Sequence, residues 1–192
     1  MPGTYTVRLT YGDTTAETSI KVLHDPRMEM NKENMQARAD MQDAMMAPIA
    51  QATAAMDRLR DAQKSLKRMN GLLAANEGEE GVEELQKQAR AAKDSLKKLM
   101  FRFVSDDSKQ GIYRDPNVVT ADLWQMRAYF SISSQPTNTT QDFVAEKFKA
   151  SVEEAVKEVN AFLEGDWKAL EKAVLEADLA FFKSVESVPM DE

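Results

Sequence analysis

The chain has 192 residues, 43% hydrophobic and 30% charged, with a formal net charge of −7, so it can bury one good core, or a small module plus a bundle, hiding roughly 70% of its extended-chain surface. Its basic residues interleave with acids, which argues against a nucleic-acid partner, since phosphate binding needs a clustered basic face. It has no cysteine, which excludes disulfides and thiolate chemistry, and no apolar run approaches the roughly 20 residues that span a bilayer.

Residues 4 to 11 alternate strictly, with Tyr5, Val7, Leu9 and Tyr11 on one face and Thr4, Thr6, Arg8 and Thr10 on the other. This predicts a half-buried strand. Gly12-Asp13 supplies turn chemistry, and a second strand over about Thr15 to Leu23 turns Ala16, Thr18, Ile20 and Val22 the same way. A lone two-stranded hairpin is marginal in water, so this one must pack on helices, pair with another chain or belong to a larger sheet. Pro2-Gly3 runs straight into the strand with no signal-peptide pattern, and reads as the tail of something larger. Pro26 ends the hairpin and marks the boundary between a module over 1–26 and a helical module over 27–192.

Helix is expected from about Asn31, an N-cap residue type. Met45, Ile49, Ala52, Met56, Leu59, Ala62, Leu66, Met69 and Leu73 recur at steps of three or four, giving one stripe on one helix face. Pro48 sits inside this pattern, and two readings compete. One is a single kinked helix from about 31 to 74, favoured because the stripe keeps its phase; the other is two helices meeting near Pro48. The glycine-bearing turn over 76–81 leads to a second long helix over about 82–104 with Val82, Leu85, Ala89, Ala92, Leu96, Leu99 and Phe103 inward, an antiparallel pair. A polar loop follows over 105–115. A shorter helix opening at Pro116 or Thr120 then places Leu123, Met126 and Phe130 inward with Trp124 beside them. A long helix from Pro136-Thr137 to about Glu164 carries Ala145, Phe148, Val152, Ala155, Val159 and Phe162, and Gly165 is expected to stop it. Asp166 caps a last helix with Trp167, Leu170, Val174 and Ala177 inward. The fold class is therefore mainly α: an antiparallel bundle of four or five helices preceded by a β-hairpin.

Chemistry is hard to find in this chain. His24 is the one histidine, and zinc or di-iron sites need several His or Cys ligands or inward Glu-x-x-His pairs. The acidic runs at Asp106-Asp107 and Glu77 to Glu84 lack EF-hand spacing. There is no Gly-x-Ser-x-Gly elbow and no phosphate loop. The helical acids alternate with bases, as i to i+4 pairing requires. No catalytic, cofactor or metal site is expected, and no cofactor. Eight of the 12 methionines lie between Met28 and Met69. Met45, Met56 and Met69 are on the stripe and read as core, whereas Met28, Met30, Met35, Met41 and Met46 are not explained by it and await a partner or the hairpin to cover them. The candidate partner-binding residues are Tyr5, Val7, Leu9, Tyr11, Met28, Met30 and Met35.

The pattern Pro2-Gly3-x-Tyr5-x-Val7-x-Leu9, then Gly12, Val22 and Asp25-Pro26-Arg27 before a helix, resembles the end of a family of large secreted bacterial proteins. These carry a sortilin-like β-propeller of Asp-box (BNR) repeats, often labelled glycosyl hydrolase-like, then an immunoglobulin-like sandwich and a helical C-terminal region. Pro136-Thr137 and Asp166 followed by Leu170 also resemble that tail. No Asp-box occurs here, and the last helix is expected to run on through Phe181-Phe182. Any hydrolase activity the resemblance implies belongs to the propeller, so no catalytic residue carries over. The resemblance implies a non-catalytic structural or protein-interaction module at the C-terminus of a secreted or periplasmic parent. Its partners would be the parent's upstream domains or a second copy as a homodimer, with no membrane insertion. The alternative is an independent helical interaction protein that dimerises through its long first helix.

Overall fold

A computed structural model describes residues 2–27, 31–106, 108, 115–131 and 137–181. The chain opens with two antiparallel strands, β1 (Gly3–Tyr11) and β2 (Thr14–Val22), in an unbroken register from Gly3 opposite Val22 to Tyr11 opposite Thr14. The loop between them is Gly12-Asp13. Gly12 has φ +56° while Asp13 stays out of the left-handed region. Only the first central residue is left-handed, as in a type II′ turn, whose twist suits paired strands.

The helices follow: α1 (Lys32–Ala44), α2 (Met46–Ala75), α3 (Val82–Phe103), α4 (Val119–Ser131), α5 (Thr139–Phe162) and α6 (Lys168–Glu176). The fold is mainly α, as the apolar periodicity requires. α5 is central and packs on α2, α3 and α4. Its Phe148 and Val152 are fully buried, and Leu59 from α2 and Leu96 and Phe103 from α3 join them in one continuous core. The predicted stripe of α2 holds, with Met45, Met56, Leu59, Ala62, Leu66 and Leu73 buried and Ile49, Ala52 and Met69 packed against them.

Three local expectations are corrected. The single kinked helix over 31–74 is two helices separated by one residue, Met45. A continuous helix would drive the Pro48 ring into the Ala44 carbonyl. With the break at Met45, Pro48 falls in the first turn of α2, where a missing N–H is tolerated. Met45 itself is buried, so the apolar stripe passes through the break. The start of α5 is Thr139 rather than Pro136-Thr137. Asn138 is its N-cap, accepting from the Thr140 and Gln141 backbone N–H groups, while Gln141 returns a bond to the Asn138 N–H.

The third correction is at Gly165, which does not stop the helix. α5 continues through a π-helical turn, Leu163–Trp167, into α6. Across this wide i to i+5 turn Leu163, Trp167 and Leu170 stay on the core side. The Phe162 and Trp167 rings then meet with centroids 6.2 Å apart.

Polar contacts tie the bundle at its ends. Arg38 of α1 donates to the Phe130 carbonyl in the last turn of α4, where orphan carbonyls and the dipole favour a cation. Arg102 of α3 reaches Glu154 at 3.0 Å and Glu158 at 3.2 Å on α5. Asn76 caps α2 and clips the C-terminal segment. Its Nδ2 donates to the Leu72 and Ala180 carbonyls, both at 2.9 Å, and its Oδ1 accepts from the Ala180 N–H at 3.1 Å.

Candidate functional site

The surface that stands apart is the hairpin. Antiparallel pairing places Tyr5 opposite Ile20, Val7 opposite Thr18 and Leu9 opposite Ala16, so both strands present their apolar residues on one side. The other side carries Thr4, Thr6, Arg8 and Thr10 facing Lys21, Ser19, Glu17 and Thr15. Arg8 and Glu17 form a cross-strand ion pair there, and the hydroxyls of Thr10 and Thr15 lie 3.4 Å apart. The sequence predicted this two-faced pattern. It also predicted half-burial, and that is corrected: every residue of β1 and β2 is exposed, and the core includes none of them. Tyr5 is 43% exposed, Leu9 70% and Tyr11 88%. Ile20 and Val22, which were not among the candidate residues, extend the same bare face. Their alternation with Lys21 was the available signal. Contiguous apolar exposure of this kind marks interaction surfaces in soluble proteins.

Of the seven candidate residues, the five that are described fall on two separate elements. Tyr5, Val7, Leu9 and Tyr11 share the hairpin face. Met35 is half-buried on α1, a separate element. Met28 and Met30 lie outside the described residues. The link between the modules is a tight local turn. The Asp25 carboxylate accepts from the Arg27 guanidinium and its backbone N–H. These bonds, the side-chain ones first, hold the Asp25 carboxyl below the ordinary aspartate value. His24 is exposed beside it, with Nδ1 2.8 Å from the Asp25 carbonyl oxygen.

The helical part offers a groove and several exposed apolar residues. A depression of about 400 Å3 between the α1–α2 junction and α4 is lined by Met45, Ile49, Leu123, Met126 and Phe130, with Gln42 and Arg127 at its rim. Trp124 does not sit inward beside Met126 as expected. It is 67% exposed, one position off the buried stripe, with the Arg127 guanidinium over its ring at 5.3 Å. Phe143, Leu175 and Phe181 are further exposed apolar residues that the helical pattern did not single out. Asp122 is a buried carboxylate, and its Oδ1 lies 2.8 Å from Lys147 Nζ on α5. It is an inter-helix ion pair in the first turn of α4, where a negative charge suits the helix dipole.

Among the described residues, no three His, Asp or Glu side chains converge as metal ligands would. No helix of the described residues is long and apolar enough to cross a membrane. Comparisons with protein-family models, curated proteins and solved structures returned no match to this chain.

Proposed function

We propose that this chain is a non-catalytic protein-interaction module, in which the bundle is a rigid base and the hairpin is the docking element. The observation that carries the reading is the solvent-exposed apolar row of Val7, Leu9, Ile20 and Val22 beside a bundle with its own buried core, which includes no hairpin residue. A two-stranded hairpin with one apolar side gains stability when that side is covered, and strand addition at a sheet edge or packing on a second sheet does this. The resemblance to sortilin-like propeller proteins supplies a specific setting. There the hairpin closes an immunoglobulin-like sandwich, and the bundle is the structural C-terminal region of a secreted bacterial parent.

Two steps test it. The first is the coding sequence upstream of Met1, where an open frame encoding a β-sandwich supports this setting. A stop there sinks the setting and favours the alternative, an independent interaction protein dimerising through its first helices. The second is amide exchange in the hairpin, compared between this chain alone and this chain joined to the sandwich. Slower exchange at Tyr5, Val7 and Ile20 in the longer protein is expected. Unchanged exchange would mean that the sandwich does not cover the hairpin.

A further inference from the structure

The hairpin has two outer edges as well as a face, and they are not equivalent. Among the described residues the sheet contains only β1 and β2, so each strand has one side with no strand beside it. Tyr11 and Thr14 flank a two-residue loop and therefore form a hydrogen-bonded pair. Alternation from there directs the N–H and C=O groups of Gly3, Tyr5, Val7 and Leu9 toward β2. Those of Thr4, Thr6, Arg8 and Thr10 point outward, away from the hairpin. The close approach of the Thr10 and Thr15 hydroxyls and of Arg8 with Glu17 fits this parity, because side chains draw nearer at non-hydrogen-bonded positions.

We infer that the outer edge of β1 pairs with β1 of a second copy, antiparallel about a two-fold axis at Val7. The inference rests on reading the hairpin as the docking element and names one partner for it. Pairing about Val7 sets Thr4 opposite Thr10 and Thr6 opposite Arg8. All four outward residues of each strand then meet outward residues of the other, and every edge N–H finds a carbonyl. Tyr5 faces Leu9 and Val7 faces Val7 on the apolar side, so the two faces stay segregated. Threonine pairs across strands are favourable, and no like charges oppose. Sliding the register by one hydrogen-bonding repeat loses these matches. One direction sets Arg8 against Arg8; the other sets Thr10 against Pro2, which has no N–H to give. The strand is thus its own antiparallel complement.

The edge of β2 is less suited. Its outward residues are Thr15, Glu17, Ser19 and Lys21; Glu17 is matched by Arg8 across the hairpin, which leaves Lys21, the residue type edge strands use most to resist pairing. On β1 Arg8 is the one charged position, and Glu17 neutralises it within its own hairpin. The product is a four-stranded sheet in the order β2-β1-β1-β2, with a doubled apolar platform on one side.

The absence of cysteine makes the register directly testable in the full chain. At the two-fold axis, Val7 of each copy is a non-hydrogen-bonded pair with Cα atoms about 4.5 Å apart, within disulfide range. Mild oxidation of Val7→Cys is expected to give a covalent dimer, and Leu9→Cys, whose opposite residue is Tyr5, is expected to stay uncrosslinked. Thr6→Pro removes an outward N–H without touching the β1–β2 ladder, and is expected to turn the dimer seen by light scattering into a monomer with unchanged helical circular dichroism. Ser19→Pro makes the same change on the β2 edge and should leave the dimer intact. A wild-type chain that stays monomeric, or a Leu9→Cys crosslink as fast as that of Val7→Cys, overturns the inference while leaving the docking of the sandwich to its own test. Loss of the dimer with Ser19→Pro instead of Thr6→Pro also overturns it, and keeps the hairpin as the docking element through its other edge.

Discussion

The bundle and the hairpin obey the same patterning rule and end in opposite states. α5 repeats apolar residues every three or four positions, and β1 repeats them every two. In α5 the repeat yields Phe148 and Val152 with no exposed surface; in β1 it yields a row of side chains facing solvent. Periodicity decides which residues share a face. It does not decide whether anything lies against that face. For α5 the covering elements are α2, α3 and α4 of the same chain, whereas no element of the described residues performs that role for the hairpin. The exposed apolar face is therefore the more informative half of the molecule, since it states a requirement that no described element meets.

This contrast can be broken by mutation, and the largest effects belong to the bundle. Phe148→Ala should destabilise the chain by about 3–5 kcal/mol in urea unfolding followed by helical circular dichroism, because a fully buried ring leaves a cavity among four packed helices. A loss below about 1 kcal/mol would show that α5 is not the centre of the core. Asn76→Ala comes next. It removes three hydrogen bonds at a buried position and leaves the Ala180 N–H and C=O without their partner, at a cost of about 1–3 kcal/mol. Faster amide exchange at Ala180, with α3 unaffected, is the expected signature. Asn138→Ala removes the cap of α5 and should cost about 1 kcal/mol, read from the same unfolding curves.

The hairpin should respond far less when the chain is alone. Leu9→Ala is expected to change bundle stability by less than about 0.5 kcal/mol, since its side chain leaves no cavity behind. A loss comparable to that of Phe148→Ala would mean that the hairpin face is covered in solution, and would sharpen the search for what covers it. The smallest effect is the pH response of the module link. Arg27 holds the Asp25 carboxyl below its ordinary value, so the bonds are present above the unfolded value and are lost as pH falls through the lowered one. An NMR titration of the Asp25 carboxyl should give a midpoint below the ordinary aspartate value, returning to it in Arg27→Ala.

How legible each part was follows from the range of the interactions that build it. The stripe from Met45 to Leu73 was readable because each residue needs only its neighbours three and four positions away to define a face. Helix starts were less readable. Pro136-Thr137 resembled a start, but Asn138 with Gln141 makes a reciprocal cap that a proline search passes over. Gly165 resembled a stop, and the wide turn that carries the helix through it leaves no mark in the apolar spacing, since Leu163 to Trp167 is an ordinary step of four. Trp124 looked like core by composition. Its phase, one position beyond Leu123, places it on the outer side of α4. For the candidate site, Tyr5, Val7, Leu9 and Tyr11 were legible as a row, and their exposure was not.

From its sequence alone, this protein determined its mainly α class, the face of each long helix, and the two-faced hairpin with its turn at Gly12-Asp13, because all of these are written in spacings of two to four residues. Only the tertiary structure decided that Met45 divides the first helical stretch, that Asn76 clips Ala180 from more than a hundred residues away, that α5 and α6 run on through Gly165, and that both hairpin strands are exposed along their whole length. Those outcomes depend on which surfaces meet across the chain, and local spacing carries no record of where distant segments come to rest.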